Sequence, residues 1–133
     1  MKCLIADDDS FGRELLSCFL SDYASSIDTA ENGICAVQLF SDALEEGNPY
    51  EFVCLDILMP EMDGQEALLK MRQLESEAGL TSNEAAIIVM TTALSSVQEI
   101  QKAIWQGDCN NYLVKPIAQS DLVALLKSYK LVS

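Results

Sequence analysis

Short apolar runs alternate with segments of helical period along this chain, and that alternation limits the possible folds more than any other feature. The runs "CLIA" (3–6), "FVCL" (52–55), "AIIVMT" (86–91) and "YLV" (112–114) have strand length, while the segments between them repeat at three and four residues. Five helices are expected, with apolar stripes at Phe11, Leu15, Phe19 and Tyr23, at Ile34, Val37, Phe40 and Leu44, at Leu68, Met71 and Leu74, at Val97, Ile100 and Ile104, and at Leu122, Leu125, Leu126 and Tyr129. A weaker strand, "SIDTA" (26–30), has only Ile27 and Ala30 as apolar residues and reads as an edge strand. Ser96-x-x-Glu99 is a capping box, Asp63-x-x-Glu66 resembles one, and Asn32-Gly33 and Gly79 punctuate helix ends. The polar stretch "QLESEAGLTSNE" (73–84) reads as a solvated helix end.

Continuous apolar strands alternating with helices predict a parallel sheet covered on both faces and joined by right-handed crossovers. The fold class is therefore α/β: a flavodoxin-like, doubly wound five-stranded parallel sheet of order 2-1-3-4-5 with five helices. The 133 residues fit one domain, 1–133, large enough to bury a core without disulfides or metal. No apolar run approaches the roughly 18 residues of a membrane span. The start, "MKCLIADDD", meets acid too early for a secretory signal, so a soluble, cytoplasmic chain is expected.

Cys3, Cys18, Cys35, Cys54 and Cys109 form no Cys-x-x-Cys pair, and four sit among apolar neighbours, which predicts buried, reduced thiols. The absence of histidine excludes a histidine-based triad and argues against zinc. A formal charge of −13 disfavours direct nucleic-acid binding and anionic membrane surfaces.

Sheets of this order hold their sites at the carboxyl ends of the strands, where the winding reverses between strands one and three. Asp7 and Asp8 end strand one and Asp56 ends strand three, so topology brings three acids to one rim. Asp9 and Ser10 read as helix-capping residues instead. Two carboxylates about 5 Å apart repel by roughly 3 kcal/mol at an effective dielectric near 20, so three together must protonate or hold a cation. An all-oxygen, incomplete cage with room for water and phosphate suits Mg2+. Lys115, in "YLVKP", can reach the same rim as an ion partner, and Thr92, in "VMTTAL", adds a hydroxyl.

The acid pair after strand one, "LDILMPEMDG" around strand three, "TTA" after strand four and "YLVKP" at strand five together resemble the receiver domain of two-component response regulators, over essentially the whole chain. The resemblance implies that Asp56 accepts a phosphoryl group from a sensor histidine kinase or a histidine phosphotransfer protein. It implies Mg2+ held by Asp7, Asp8, Asp56 and the backbone carbonyl of Leu58, with Lys115 neutralising the phosphoryl charge. Thr92, rather than Thr91, and Tyr112 would be the switch residues, acting on a face built from the predicted fourth helix, fifth strand and fifth helix. The Lys115–Pro116 bond is often cis in that family. A downstream protein target or output domain, and a phosphorylation-dependent dimer, belong to the same implication. Leu58 and Leu94 stand at two positions that tune phosphoryl lifetime in receivers; both are apolar, so a long-lived phospho-form is expected. Trp105, at the edge of the fourth stripe, reads as half-buried packing.

This reading makes the chain a signalling domain that catalyses only its own phosphorylation and dephosphorylation. A haloacid-dehalogenase-like phosphatase would need a second aspartate where Leu58 stands. A flavin binder would need a phosphate-cradling loop where "DDDS" stands. A phosphorylation-independent adaptor would not need all of Asp7, Asp8, Asp56, Thr92 and Lys115. The methionine start favours an N-terminal or complete chain, either a stand-alone receiver or a piece of a longer regulator.

Overall fold

The computed structural model describes residues 1–93, 98, 101 and 108–132. Along them run β1 (Lys2–Ala6), α1 (Ser10–Leu20), β2 (Ser26–Ala30), α2 (Gly33–Glu45), β3 (Phe52–Asp56), α3 (Gly64–Glu77), β4 (Ile87–Thr92), β5 (Asn111–Val114) and α4 (Gln119–Ser128). The strands form one sheet in the order β2-β1-β3-β4-β5, with every neighbouring pair parallel. Helix α4 is the predicted fifth helix, so four helices are seen among the described residues. The predicted fourth helix lies outside them, with its stripe of Val97, Ile100 and Ile104, its capping box, Leu94 and Trp105.

Strand period explains how one sheet feeds two cores, because alternate side chains leave on opposite faces. Leu4, Ala6, Val53, Leu55, Ile88 and Met90 meet Ala36 and Phe40 of α2 and Leu68 and Met71 of α3. Cys3, Ile5, Phe52, Cys54 and Val89 meet Leu16 and Leu20 of α1 and Leu122 and Leu126 of α4. All five residues of β3 are buried, as its unbroken apolar run predicts for a central strand. Only Ala30 of β2 is buried, which fits the edge position read from its sparse pattern.

The helix stripes differ from expectation at their first turns. Phe11 is 69% exposed and Ile34 50% exposed. Both lie in the opening turn of a helix, where they face solvent. In α1 the buried positions are Leu16 and Leu20, with Leu15 and Phe19 of the expected stripe partly buried and Tyr23 past the helix end; in α2 Phe40 of the expected stripe is buried, joined by Ala36 and Ala43. Small alanines escape a search for bulky stripes, yet they let α2 approach the sheet closely.

Helix starts follow the sequence signals more closely. The Asn32 side chain accepts from the Cys35 N–H at 2.8 Å, and Asp63 accepts from the Glu66 N–H at 2.9 Å. Asp9 caps α1 through the Phe11 N–H at 3.2 Å, as expected for a capping residue. Gly79 follows the end of α3 with φ of +76°, a conformation few other residues adopt without strain. Asn32→Ala is expected to destabilise the fold by about 1 kcal/mol, seen as a lower urea midpoint at unchanged slope.

The thiol expectation holds for three of the five cysteines. Cys3, Cys54 and Cys109 are buried and Cys18 and Cys35 exposed, all of them free. Burial pushes the Cys3 thiol up to about 12 and that of Cys109 to about 11, which keeps both protonated and unreactive.

A buried polar network ties the amino-terminal ends of β4 and β5 to α3. Arg72 donates to Glu75 Oε1 at 2.6 Å, to the Asp108 carbonyl at 2.7 Å, to the Ala86 carbonyl at 3.0 Å and to Asn110 Oδ1 at 3.0 Å. Glu75 Oε2 accepts from the Ala86 N–H at 2.7 Å, and Tyr129 donates to the Asn110 carbonyl at 2.8 Å. Glu75 lies within the stretch expected to be a solvated helix end, yet it is only 4% exposed.

Candidate functional site

The three acids, Thr92 and Lys115 each stand at or just past the carboxyl end of a strand. Ladder bonds that continue beyond the regular strands hold these ends. The Asp7 N–H donates to the Ala30 carbonyl at 3.1 Å, Ile57 to Thr91 at 3.1 Å, and Lys115 to Thr92 at 2.7 Å. The end of β1 is thereby tied to β2, and the ends of β3 and β5 to β4, through the backbone before any side chain is considered.

At this rim Asp7, Asp8 and Asp56 each offer a carboxylate oxygen within 4.8 Å of the others. Asp7 is 1% exposed and Asp56 5%, while Asp8 faces solvent. The Lys115 ammonium spans the two buried acids, 3.2 Å from Asp7 Oδ2 and 3.0 Å from Asp56 Oδ2. Residues from both ends of the chain and from its middle therefore share one cluster, as the winding rule predicts. The remaining oxygens are oriented by backbone: Asp7 Oδ1 accepts from the Asp9 N–H at 2.9 Å, and Asp56 Oδ1 from the Leu58 N–H at 3.3 Å.

Electrostatics at the rim are unbalanced. One ammonium faces three carboxylates, and desolvation pushes the Asp56 carboxyl up to about 6 against the pull of Lys115, with Asp7 adding to the rise. Burial works to lower the Lys115 pKa, but Asp56 and then Asp7 outweigh it and hold the ammonium above its ordinary value. The donor set is oxygen only, with neither sulfur nor imidazole, and Asp8 opens it to water. A hard dication such as Mg2+ fits these residues better than any soft metal.

Thr92 ends β4 fully buried, its hydroxyl donating to the Ala93 carbonyl at 3.0 Å rather than to the acids. Thr91 is also buried, and its hydroxyl has no hydrogen-bond partner among the described residues. Leu58 is 62% exposed on the loop after Asp56. Tyr112 is half-buried on β5 and packs against the core between the sheet and α2 and α3. The Lys115–Pro116 bond is cis. The structure thus gathers Asp7, Asp8, Asp56 and Lys115 into contact range, with Thr92 at the neighbouring strand end and Tyr112 elsewhere on β5.

Two features of the site escaped sequence reasoning. Arg13 donates to the Asp7 carbonyl at 2.7 Å, one turn into α1. A Cβ at Gly12 would come within 2.8 Å of Asp7 Oδ2, and one at Gly64 within 2.8 Å of the Ile57 Cα. Both glycines let a helix start lie directly against an acid-bearing strand end. The glycine of "MDG" gave the only sequence signal, and it marked a helix start rather than a close approach.

Comparison with known proteins agrees with this geometry. Residues 3–127 match the family described as the response regulator receiver domain. The chain is 33% identical over 134 residues to hybrid signal transduction histidine kinase B of Dictyostelium discoideum, a match that takes in 96% of this chain and 6% of that kinase's length. Among solved structures it resembles the receiver domain of the response regulator Ssk1 from Saccharomyces cerevisiae, crystallised with the histidine phosphotransfer protein Ypd1, with a TM-score of 0.80, 29% identity, and coverage of 97% and 88% of the two chains. It also resembles a chain of the CheX–CheY–BeF3–Mg complex of Borrelia burgdorferi, with a TM-score of 0.77, 27% identity, and coverage of 97% and 89%. With strand order, acid cluster and family match in agreement, the chain belongs to the response regulator receiver domain family.

Proposed function

We propose that the chain is one receiver domain, 1–133, that accepts a phosphoryl group on Asp56 from the phosphohistidine of a histidine kinase or histidine phosphotransfer protein. The observation that carries this is the Lys115 ammonium seated between two buried carboxylates, with a third acid beside them. The Ssk1 receiver, with its phosphotransfer partner, supports the donor class. A carboxylate oxygen of Asp56 attacks phosphorus, the bond from phosphorus to the donor's histidine nitrogen breaks, and an acyl phosphate remains on Asp56. Asp7, Asp8, Asp56 and the Leu58 carbonyl are the residues that would hold Mg2+. When bound, the ion supplies positive charge to the phosphoryl oxygens, a role for which the Mg-containing CheY complex is a parallel.

Lys115 keeps Asp56 oriented and stabilises negative charge as the phosphoryl group arrives. Phosphorylation adds roughly −1.5 to −2 charge at the rim, and the Thr92 hydroxyl, now spent on the Ala93 carbonyl, is the nearby donor free to turn toward it. Such a turn would draw in the end of β4 and repack Tyr112, changing the face formed by the predicted fourth helix, β5 and α4. A downstream protein target, an output domain, or a second phosphorylated copy would read that face. The domain then acts in the cytoplasm as a signalling element without turnover of an outside substrate. Among the described residues no helix is long and apolar enough to cross a membrane. Leu58, where a dehalogenase-like phosphatase would carry its second aspartate, disfavours that alternative.

Exposed Leu58 cannot orient water, so the acyl phosphate should decay slowly. Leu58→Asn is expected to shorten its half-life severalfold, followed as loss of the phosphorylated mass after donor removal. The function itself is tested by incubating the protein with a small phosphodonor: one phosphoryl group should be gained with Mg2+ and none after chelation. Labelling that ignores Mg2+ would contradict the proposal.

A further inference from the structure

The start of α2 touches the loop that leaves Asp56. A Cβ built on Gly33 would overlap the Met62 carbonyl oxygen and lie 2.9 Å from both the Met62 carbonyl carbon and its Cβ. The first two of these atoms are backbone, so no side-chain rotation relieves them. Residues 57–63 join β3 to α3, and Met62 lies on the limb returning to the helix. At the foot of that limb, a Cβ on Gly64 would stand 2.9 Å from the Asp56 carbonyl carbon. One loop is therefore gripped between two helix starts that lack side chains.

We propose that Gly33 is a positioning residue for the acid site: its missing side chain lets α2 seat the 57–63 loop, and through it the Leu58 backbone and Asp56, for Mg2+. This rests on the reading of Asp56 as a Mg2+-dependent phosphoryl acceptor. The loop is too short and too tied to absorb a shift at Met62. The Met62 N–H donates to the Pro60 carbonyl at 2.8 Å, Gly64 to Ile57 at 2.9 Å, and Ile57 to Thr91 at 3.1 Å. Glu61 between them is held at φ of +69°. Ile57 and Met59 are buried, which anchors the outgoing limb in the core. Displacement at Met62 is therefore passed to Leu58, whose N–H holds Asp56 Oδ1. On the α2 side, the Asn32 cap fixes the turn that carries Gly33.

The test compares Gly33→Ala with Gly47→Ala. Gly47 has φ of +72° and no atom within 4 Å of its built Cβ, so alanine there strains the backbone without touching the loop. Mg2+ titrations followed by amide chemical shifts, together with shifts of Leu58 and Met62 in the metal-free proteins, separate positioning from general loss of stability. Gly33→Ala is expected to bind Mg2+ about tenfold more weakly, with displaced Leu58 and Met62 signals before any metal is added, while Gly47→Ala keeps wild-type affinity. A folded Gly33→Ala with the affinity of Gly47→Ala would overturn the assignment. Should Gly33→Ala not fold, Asn32→Ala decides: it loosens the same turn without bulk, and unchanged Mg2+ affinity in that variant also overturns it. Failure of the wild type to bind Mg2+ would instead refute the acceptor reading on which the assignment rests.

Discussion

Lys115→Met is expected to slow phosphorylation of Asp56 by roughly a hundredfold to a thousandfold, the usual cost of removing one preorganised charge-stabilising donor. The size of the effect follows from burial. Asp7 and Asp56 are almost sealed from solvent, and the Lys115 ammonium is the only protein cation among the described residues that touches either carboxylate. Methionine keeps much of the length of the lysine stem but leaves two buried acids facing each other. The attacking group must be ionised, and the Asp56 carboxyl already sits at about 6 because of desolvation. Losing the ammonium raises it further, so the ionised fraction at a given pH falls. In the metal-free proteins, the Asp56 carboxyl of the variant should therefore titrate at higher pH than that of the wild type, followed by its side-chain carbon shift. A Lys115→Met protein with near wild-type phosphorylation rate would remove Lys115 from the chemistry.

Arg72→Met is expected to cost about 3–5 kcal/mol of stability, although it lies at the opposite end of the sheet from the acids. The Arg72 guanidinium reaches α3, the start of β4, Asp108 and Asn110, and it is the partner of a Glu75 carboxylate whose side chain is 5% exposed. Removing it leaves that charge buried with one backbone N–H as its remaining partner among the described residues. The double variant Arg72→Met with Glu75→Gln should recover part of the loss, because the glutamine carbonyl can still accept from the Ala86 N–H without carrying charge. Urea unfolding of the two singles and the double gives the coupling directly. Strict additivity would mean that the pair is not energetically linked.

These two substitutions also mark what could and could not be read from sequence. Lys115 was legible because strand order alone sends strand ends to one rim, and "YLVKP" placed a cation at such an end. The same logic located Asp7, Asp8 and Asp56 from residues far apart in the chain. Arg72 and Glu75 were not legible, since a polar stretch after an apolar stripe has the pattern of a solvent face whether or not its members find each other. The edge strand at Ser26–Ala30 was recognisable from its scarcity of apolar residues, and the Asn32 and Asp63 caps from residue type. Phe11 and Ile34 misled because periodicity marks which face of a helix is apolar without saying which of its turns are covered. The close approaches at Gly12, Gly33 and Gly64 depend on contacts between separate elements, and a glycine in sequence looks the same at a turn as under a carboxylate.

The identity of the acceptor is the claim on which the site depends. Tandem mass spectrometry of wild type, Asp56→Asn and Asp8→Asn after exposure to a small phosphodonor with Mg2+ tests it most directly. The account predicts a single modified residue, Asp56, in the wild type, no label in Asp56→Asn, and much slower labelling, still at Asp56, in Asp8→Asn. Equal labelling of wild type and Asp56→Asn, or a modified residue away from this rim, would contradict it.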